Sequence, residues 1–161
     1  MKPEIWYDWD NNKNQSVFEN NFYNLHAPDI KEDTTMDANM KKRNELLAKT
    51  VIKGLESRNM SGYYAQDKEA ALKQALELIP NGSTIAMGGC MSAHEIGLVK
   101  ALQDGDYNYI DRAKLEPREG LMAAYDADFF LSSANAVTDD GVLVNIDGNS
   151  NRVSCIAQGP K

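Results

Sequence analysis

Two cysteines, two histidines and no long apolar run set the first limits on this chain of 161 residues. Cys90 and Cys155 lie far apart in sequence, so no disulfide framework is expected and both read as reduced thiols. With only His26 and His94 beside them, no zinc-ligand set can be assembled. No window reaches the ~18 consecutive apolar residues of a membrane-spanning helix, and MKPEIWYDWDNNKNQ lacks the apolar core of a secretory signal. A cytoplasmic protein with no membrane partner is the expectation. Positive charge is also scarce: 17 Lys and Arg face 24 Asp and Glu, a formal charge of -7 without any lysine or arginine stripe. Such a chain repels phosphate backbones, which excludes nucleic acid as a partner. Neither G-x-G-x-x-G nor the G-x-x-x-x-G-K-[ST] phosphate loop occurs, so no particular nucleotide is indicated.

The acidic excess sits at the start. Residues 1–37 carry three basic and eight acidic side chains, a net of -5, and leave only -2 for the rest. The same segment is rich in asparagine and holds both tryptophans, Trp6 and Trp9, with Tyr7, Phe18, Phe22 and Tyr23. It has no sustained period. Large rings seldom stay solvated, which favours an extension draped over the body or over a neighbouring subunit. Its scarcity of aliphatic residues favours disorder instead. A domain boundary is therefore placed at residue 38, with an acidic, aromatic arm before it.

From Met40 the pattern becomes regular. Leu47, Val51 and Leu55 predict an amphipathic helix ending near Asn59, which Ser61-Gly62 breaks. A short strand at YYAQ leads to Asp67, placed to cap a second helix with Ala71, Leu72, Ala75, Leu76 and Ile79 on one face. STIAM reads as a buried strand, and Ser92 with Glu95 as a capping box opening one helix through Ile96, Val99 and Leu102. A strand at Tyr107–Ile110, a helix begun by Pro117 and a buried strand at Phe129–Ser133 follow. The runs SSANAV and VLVNI flank Thr138-Asp139-Asp140-Gly141, which is hairpin chemistry, and Val153, Ile156 and Ala157 predict a short last helix. This alternation predicts an α/β fold: a mostly parallel sheet with helices on both faces.

Three groups of residues can carry chemistry. Gly88, Gly89, Cys90, Met91 and Ser92 form a strand-to-helix turn, where backbone N–H groups and small residues suit a carboxylate or phosphate. Plain turn geometry explains them equally well. Cys90 is a candidate nucleophile and Glu95 a candidate carboxylate, but a small buried thiol and a cap are the structural readings of the same two residues. Asp111 and Arg112 follow an apolar stretch, where an arginine can grip an anion with two hydrogen bonds and the aspartate can orient it; a solvated surface pair is the alternative. The third group, Asn135, Thr138, Asp139, Asp140, Asn145, Asp147, Asn149, Asn151 and Arg152, is rich in turn formers, and Arg152 stands out in it as an anion ligand. Its aspartates fit no EF-hand loop, and no metal is expected.

The ordered set IAMGGCMSAHEIGLVKAL, YIDR, FFLSSANAVTDDGVLVNIDGNSNRV and GPK resembles the LUD domain family, named for lactate utilisation, over about residues 40 to 161. The resemblance implies a sheet similar to that of the ribose-phosphate isomerase and CoA-transferase group, and a small anionic ligand bound at turns after strands. It also implies work beside iron-sulfur or flavin-type redox subunits in lactate oxidation. The family pattern matches Gly88, Gly89, Met91, Glu95, Gly97, Asp111, Arg112, Asn135, Thr138, Asp140, Gly141, Asn145, Asp147, Gly148, Asn151 and Arg152. Relatives commonly carry serine at the position of Cys90, which weakens the nucleophile reading and favours a hydroxyl-like or steric role, and an apolar residue at that of His94, which inherits no role. The residues 39–161 then read as a LUD-like α/β domain that stops at Gly159-Pro160-Lys161, short of the family's further strand and cysteine-bearing tail. No cofactor is expected in this chain; an iron-sulfur cluster would belong to partners or to such a tail. Whether the domain is catalytic stays open. The alternatives are a free-standing isomerase- or acyl-transferase-like enzyme using Glu95 or Cys90, and a non-catalytic assembly subunit; a homo-oligomer is compatible with each.

Overall fold

Two apolar stripes of opposite direction along β-strand residues 84–87 organise the molecule, which a computed structural model describes at residues 4–5 and 38–160. The rest of the amino-terminal arm and His26 lie outside the described residues.

Helix α1 (Ala38–Glu56) buries Val51 and Leu55, and the chain turns at Asn59 through a positive φ of 60°. A two-residue strand β2 (Ser61–Gly62) pairs in parallel with β1 (Glu4–Ile5). The ladder thus falls on the Ser-Gly pair that reads as a breaker, and YYAQ, expected to be the strand, forms none. The described register places Glu4 opposite Ser61 and Ile5 opposite Gly62. Helix α2 (Lys68–Leu78) is capped as expected: Asp67 Oδ1 accepts the Ala70 N–H at 2.7 Å.

The central strand β3 (Thr84–Met87) is followed by α3 (Met91–Glu95) and α4 (Leu98–Asp104), then β4 (Asn108–Ile110), a 3₁₀ turn at Arg112–Lys114 and α5 (Pro117–Tyr125). Strand β5 (Phe129–Leu131) precedes the antiparallel ribbon β6 (Ala136–Val137) and β7 (Leu143–Val144), and α6 (Asn151–Gln158) closes the described chain. The sequence pattern predicts one helix where α3 and α4 stand. Gly97, at φ 78°, divides them, because the left-handed conformation cannot continue a right-handed helix. The capping box is likewise absent: α3 begins at Met91 with Cys90 as the N-cap residue, no side chain caps it, and Ser92 lies inside the helix.

Strands β4 and β5 flank β3, both in parallel, with Ala86 opposite Ile110 on one side and Phe130 on the other. Side chains alternate across a strand. Ile85 and Leu131 therefore face one way, into a core with Ala75, Ile79, Leu98, Val99 and Leu102 from α2 and α4. Ala86 faces the other way, packed with Ala124, Ala127, Cys155 and Phe130 beneath α5 and α6. Helices thus cover both faces of a parallel sheet, the α/β class expected. The ribbon turn locks onto α1. A Cβ on Gly54 would lie 2.0 Å from Asp140 O, so two backbones touch where only glycine leaves room.

Candidate functional site

In the order β4-β3-β5 the chain leaves β3 toward one neighbour and later crosses to the other side, so a topological switch point lies at the carboxyl ends of β3 and β5. Loops that part in opposite directions leave a crevice there, the usual place for ligands in open α/β sheets. The turn Gly88-Gly89 forms one wall. Gly88 N–H continues the ladder to Leu131 O at 2.9 Å, and Ser133 N–H reaches Gly89 O at 3.4 Å. Gly88 is buried, and a Cβ there would meet Phe130 Cζ at 2.8 Å and Arg152 Cγ at 2.9 Å. Gly89 is exposed, with nothing within 4 Å of a Cβ. One glycine serves packing, and its neighbour keeps the backbone open.

Beside this turn lies a cleft of about 330 Å³ lined by Met87, Gly88, Gly89, Arg112, Leu115, Pro117, Gly120 and Asn151. Arg112 begins the 3₁₀ turn after β4, half-buried, and its Nη1 makes a long 3.5 Å contact with Met87 O. Among the described residues no carboxylate pairs with it. Asp111, expected to orient it, pairs with Lys114 Nζ at 3.2 Å. Gly120 of α5 faces the arginine stem, and a Cβ added to it would lie 3.5 Å from Arg112 Cβ.

Arg152 stands behind Gly88, and its guanidinium is engaged by protein acceptors. It donates to Ser133 O, to Asn135 Oδ1 at 2.6 Å and to Ile146 O at 2.8 Å. These bonds tie the loop after β5 and the end of the ribbon to α6. The start of α6 is engaged as well, because Asp147 Oδ2 accepts the Arg152 N–H at 3.0 Å and the Val153 N–H at 2.7 Å. Those backbone hydrogen bonds, Val153's first among them, hold the Asp147 carboxyl below the usual carboxylate range.

The structure brings together Gly88, Gly89, Arg112 and Asn151 in the cleft, with Asn135 and Arg152 directly behind. Thr138 and Asp140 instead close the ribbon turn against α1, where Arg58 donates to Asp140 O at 2.7 Å. Met91 is 69% exposed, Ser92 sits within α3, and Glu95 is exposed with Lys68 3.8 Å away. None of the three lines the cleft. Cys90 is 9% exposed and packs into the core under α4, the ordinary place of a small thiol. Leu115, Pro117 and Gly120 line the cleft without any prior sign of it; only Pro117, as a helix opener, marks that α5 begins there. Among the described residues no cluster of three metal-ligating side chains forms, and no helix is long and apolar enough to cross a membrane.

These features define an α/β domain with a ligand-sized, arginine-lined cleft at the carboxyl ends of β3 and β4. The family model of the LUD domain matches residues 48–161, and the chain belongs to that family. No curated protein and no solved structure matches the chain.

Proposed function

We propose that this is a LUD-type protein of lactate or related organic-acid utilisation that holds a small anionic ligand in the cleft at the end of β3. Arg112 carries this reading. A half-buried guanidinium that lines a cleft and, among the described residues, has no carboxylate partner is suited to a ligand anion, which it can hold with two charge-assisted hydrogen bonds. The open backbone at Gly89 allows that anion a close approach, while Leu115, Met87 and Pro117 offer apolar surface to the remainder of a small molecule. Arg152 and Asn135 hold the turn in place. Oxidation itself is assigned to redox partner subunits bearing iron-sulfur or flavin-type groups, in keeping with the family. A catalytic role for Cys90 or Glu95 gains no support, because neither reaches the cleft.

Calorimetric titration with lactate, pyruvate, phosphosugars and CoA tests the proposal. At least one of these is expected to bind, and Arg112→Ala to weaken it tenfold or more, about 1.4 kcal/mol, with the melting temperature unchanged. Absence of binding across the panel, or equal binding by the variant, overturns it.

A further inference from the structure

Among the described residues two glycines stand inside helices, Gly54 in α1 and Gly120 in α5. Gly54 is explained by the ribbon-turn backbone pressed against it. Gly120 has no such neighbour. It lies one turn into the nine-residue α5, donates its N–H to Glu116 O at 2.9 Å, and does not have a positive φ. A Cβ built on it would lie 3.5, 3.6 and 3.7 Å from Cβ, Cγ and Nε of Arg112, which is ordinary contact without a clash. Alanine therefore fits. In a helix it is also the more stable residue, because glycine gives up more chain freedom on folding. Neither turn conformation nor close packing accounts for a glycine at this place.

What the missing side chain leaves is space against a cation. Gly120 is buried, lines the cleft and faces the stem of Arg112. Among the described residues the guanidinium is held by one long contact, 3.5 Å from Nη1 to Met87 O, where a well-formed hydrogen bond of this type measures about 2.9 Å. The side chain is thus weakly anchored on one side and unobstructed on the other.

On the reading of the cleft as an anion site, we infer that Gly120 is a positioning residue: lacking a side chain, it keeps the room in which the Arg112 guanidinium turns from Met87 O to the bound anion. A methyl group here bears on three atoms of the arginine at once and holds its planar fork where it stands, out of line with a two-pronged hydrogen bond to a ligand. Stability of α5 is given up for that freedom, the usual exchange where a site needs a mobile group.

Gly120→Ala in the full chain separates this role from a structural one. Phenylglyoxal condenses with accessible guanidinium groups, so mass mapping of the peptide that holds Arg112 reads its labelling rate without any ligand. The variant is expected to unfold at higher urea than the wild type and to label several-fold more slowly at Arg112, with the exposed and remote Arg43 unchanged. In calorimetry it is expected to bind about tenfold more weakly whichever of lactate, pyruvate, phosphosugar or CoA the wild type takes up. Equal labelling of Arg112 in the two proteins overturns the inference, and so does slower labelling with unchanged affinity. A variant less stable than the wild type overturns it as well, since the glycine would then serve packing. Failure of the wild type to bind any of the four overturns the anion site itself, whereas the labelling of the ligand-free proteins still supports or overturns the control of Arg112 by Gly120.

Discussion

Arg112 and Arg152 flank the same glycine turn and differ in what meets their guanidinium groups. Arg152 donates to Ser133 O, Asn135 Oδ1 and Ile146 O, so its removal leaves several acceptors without their charged donor. Hydrogen bonds to charged groups contribute roughly 1.5–3 kcal/mol each, and these three share one side chain. Arg152→Ala is expected to cost about 3 kcal/mol in urea unfolding, and Arg152→Lys to recover little because an ammonium lacks the planar fork. A variant of unchanged stability would sink this structural role. Asp147 adds a pH dependence. Its folded carboxyl titrates below its unfolded value, held down first by the Val153 N–H, so its stabilisation is complete above about pH 4 and is lost as pH falls through the lower folded value. Asp147→Asn is accordingly expected to close on the wild type as the pH is lowered through the acid range. A stability gap of constant size from neutral pH to acid would contradict the assignment. The sequence makes both arginines visible as anion ligands, but residue type alone cannot tell them apart. What separates them is the carbonyls of Ser133 and Ile146, which only the folded loop brings to Arg152.

At the scale of elements, the contact between α1 and the ribbon turn rests on paired glycines. A Cβ on Gly54 meets Asp140 O at 2.0 Å and Asp140 C at 2.4 Å, and one on Gly141 meets Leu55 N at 2.5 Å, all backbone atoms that cannot rotate away. Gly82 offers the control: it has φ 80° but nothing within 4 Å of a Cβ. Gly54→Ala is expected to cost at least about 2 kcal/mol through overpacking, and Gly82→Ala only about 1 kcal/mol of backbone strain. Equal costs, measured by urea unfolding, would show that the helix and the ribbon turn separate freely. The same scale shows where periodicity carries and where it fails. The 3.6-residue pattern is legible in α2, which buries Ala71 and Ala75. Helix α6 stands where Val153, Ile156 and Ala157 predict a helix but turns Cys155 inward and leaves Ile156 and Ala157 exposed, and Met122 of α5 is exposed too. The pattern of Ile96, Val99 and Leu102 predicts a single helix as well, since these side chains do share one core, yet Gly97 turns the backbone between them. A Ser-x-x-Glu spacing reads as a cap whenever a helix begins near it, and here it falls inside α3, with Glu95 directed to Lys68.

Over the whole molecule, β3 is shared by two cores that lie on opposite faces of one small sheet. The alternation of strands and helices makes this class legible, but the pairing of β3 with β4, which sets their two following turns side by side around the cleft, is not written in any local pattern. Leu115 and Gly120 enter the cleft on the segment that follows β4. The two thiols report on the arrangement, since Cys90 packs with the α2 and α4 core and Cys155, 0% exposed, with the α5 and α6 core. Burial also pushes the Cys155 thiol above its ordinary value, opposed in part by the charge of Arg112. Because Ile85 and Ala86 belong to the same strand and point into the separate cores, neither core can come apart while the other keeps its sheet. Both cysteines are therefore expected to resist an aromatic disulfide reagent in buffer and to become reactive over one urea transition that coincides with the loss of helical circular dichroism. Two separate labelling transitions would show that the faces unfold independently. Rapid labelling of Cys90 alone in buffer would instead expose that thiol in the native fold, and with it restore the nucleophile that its place in the core now argues against.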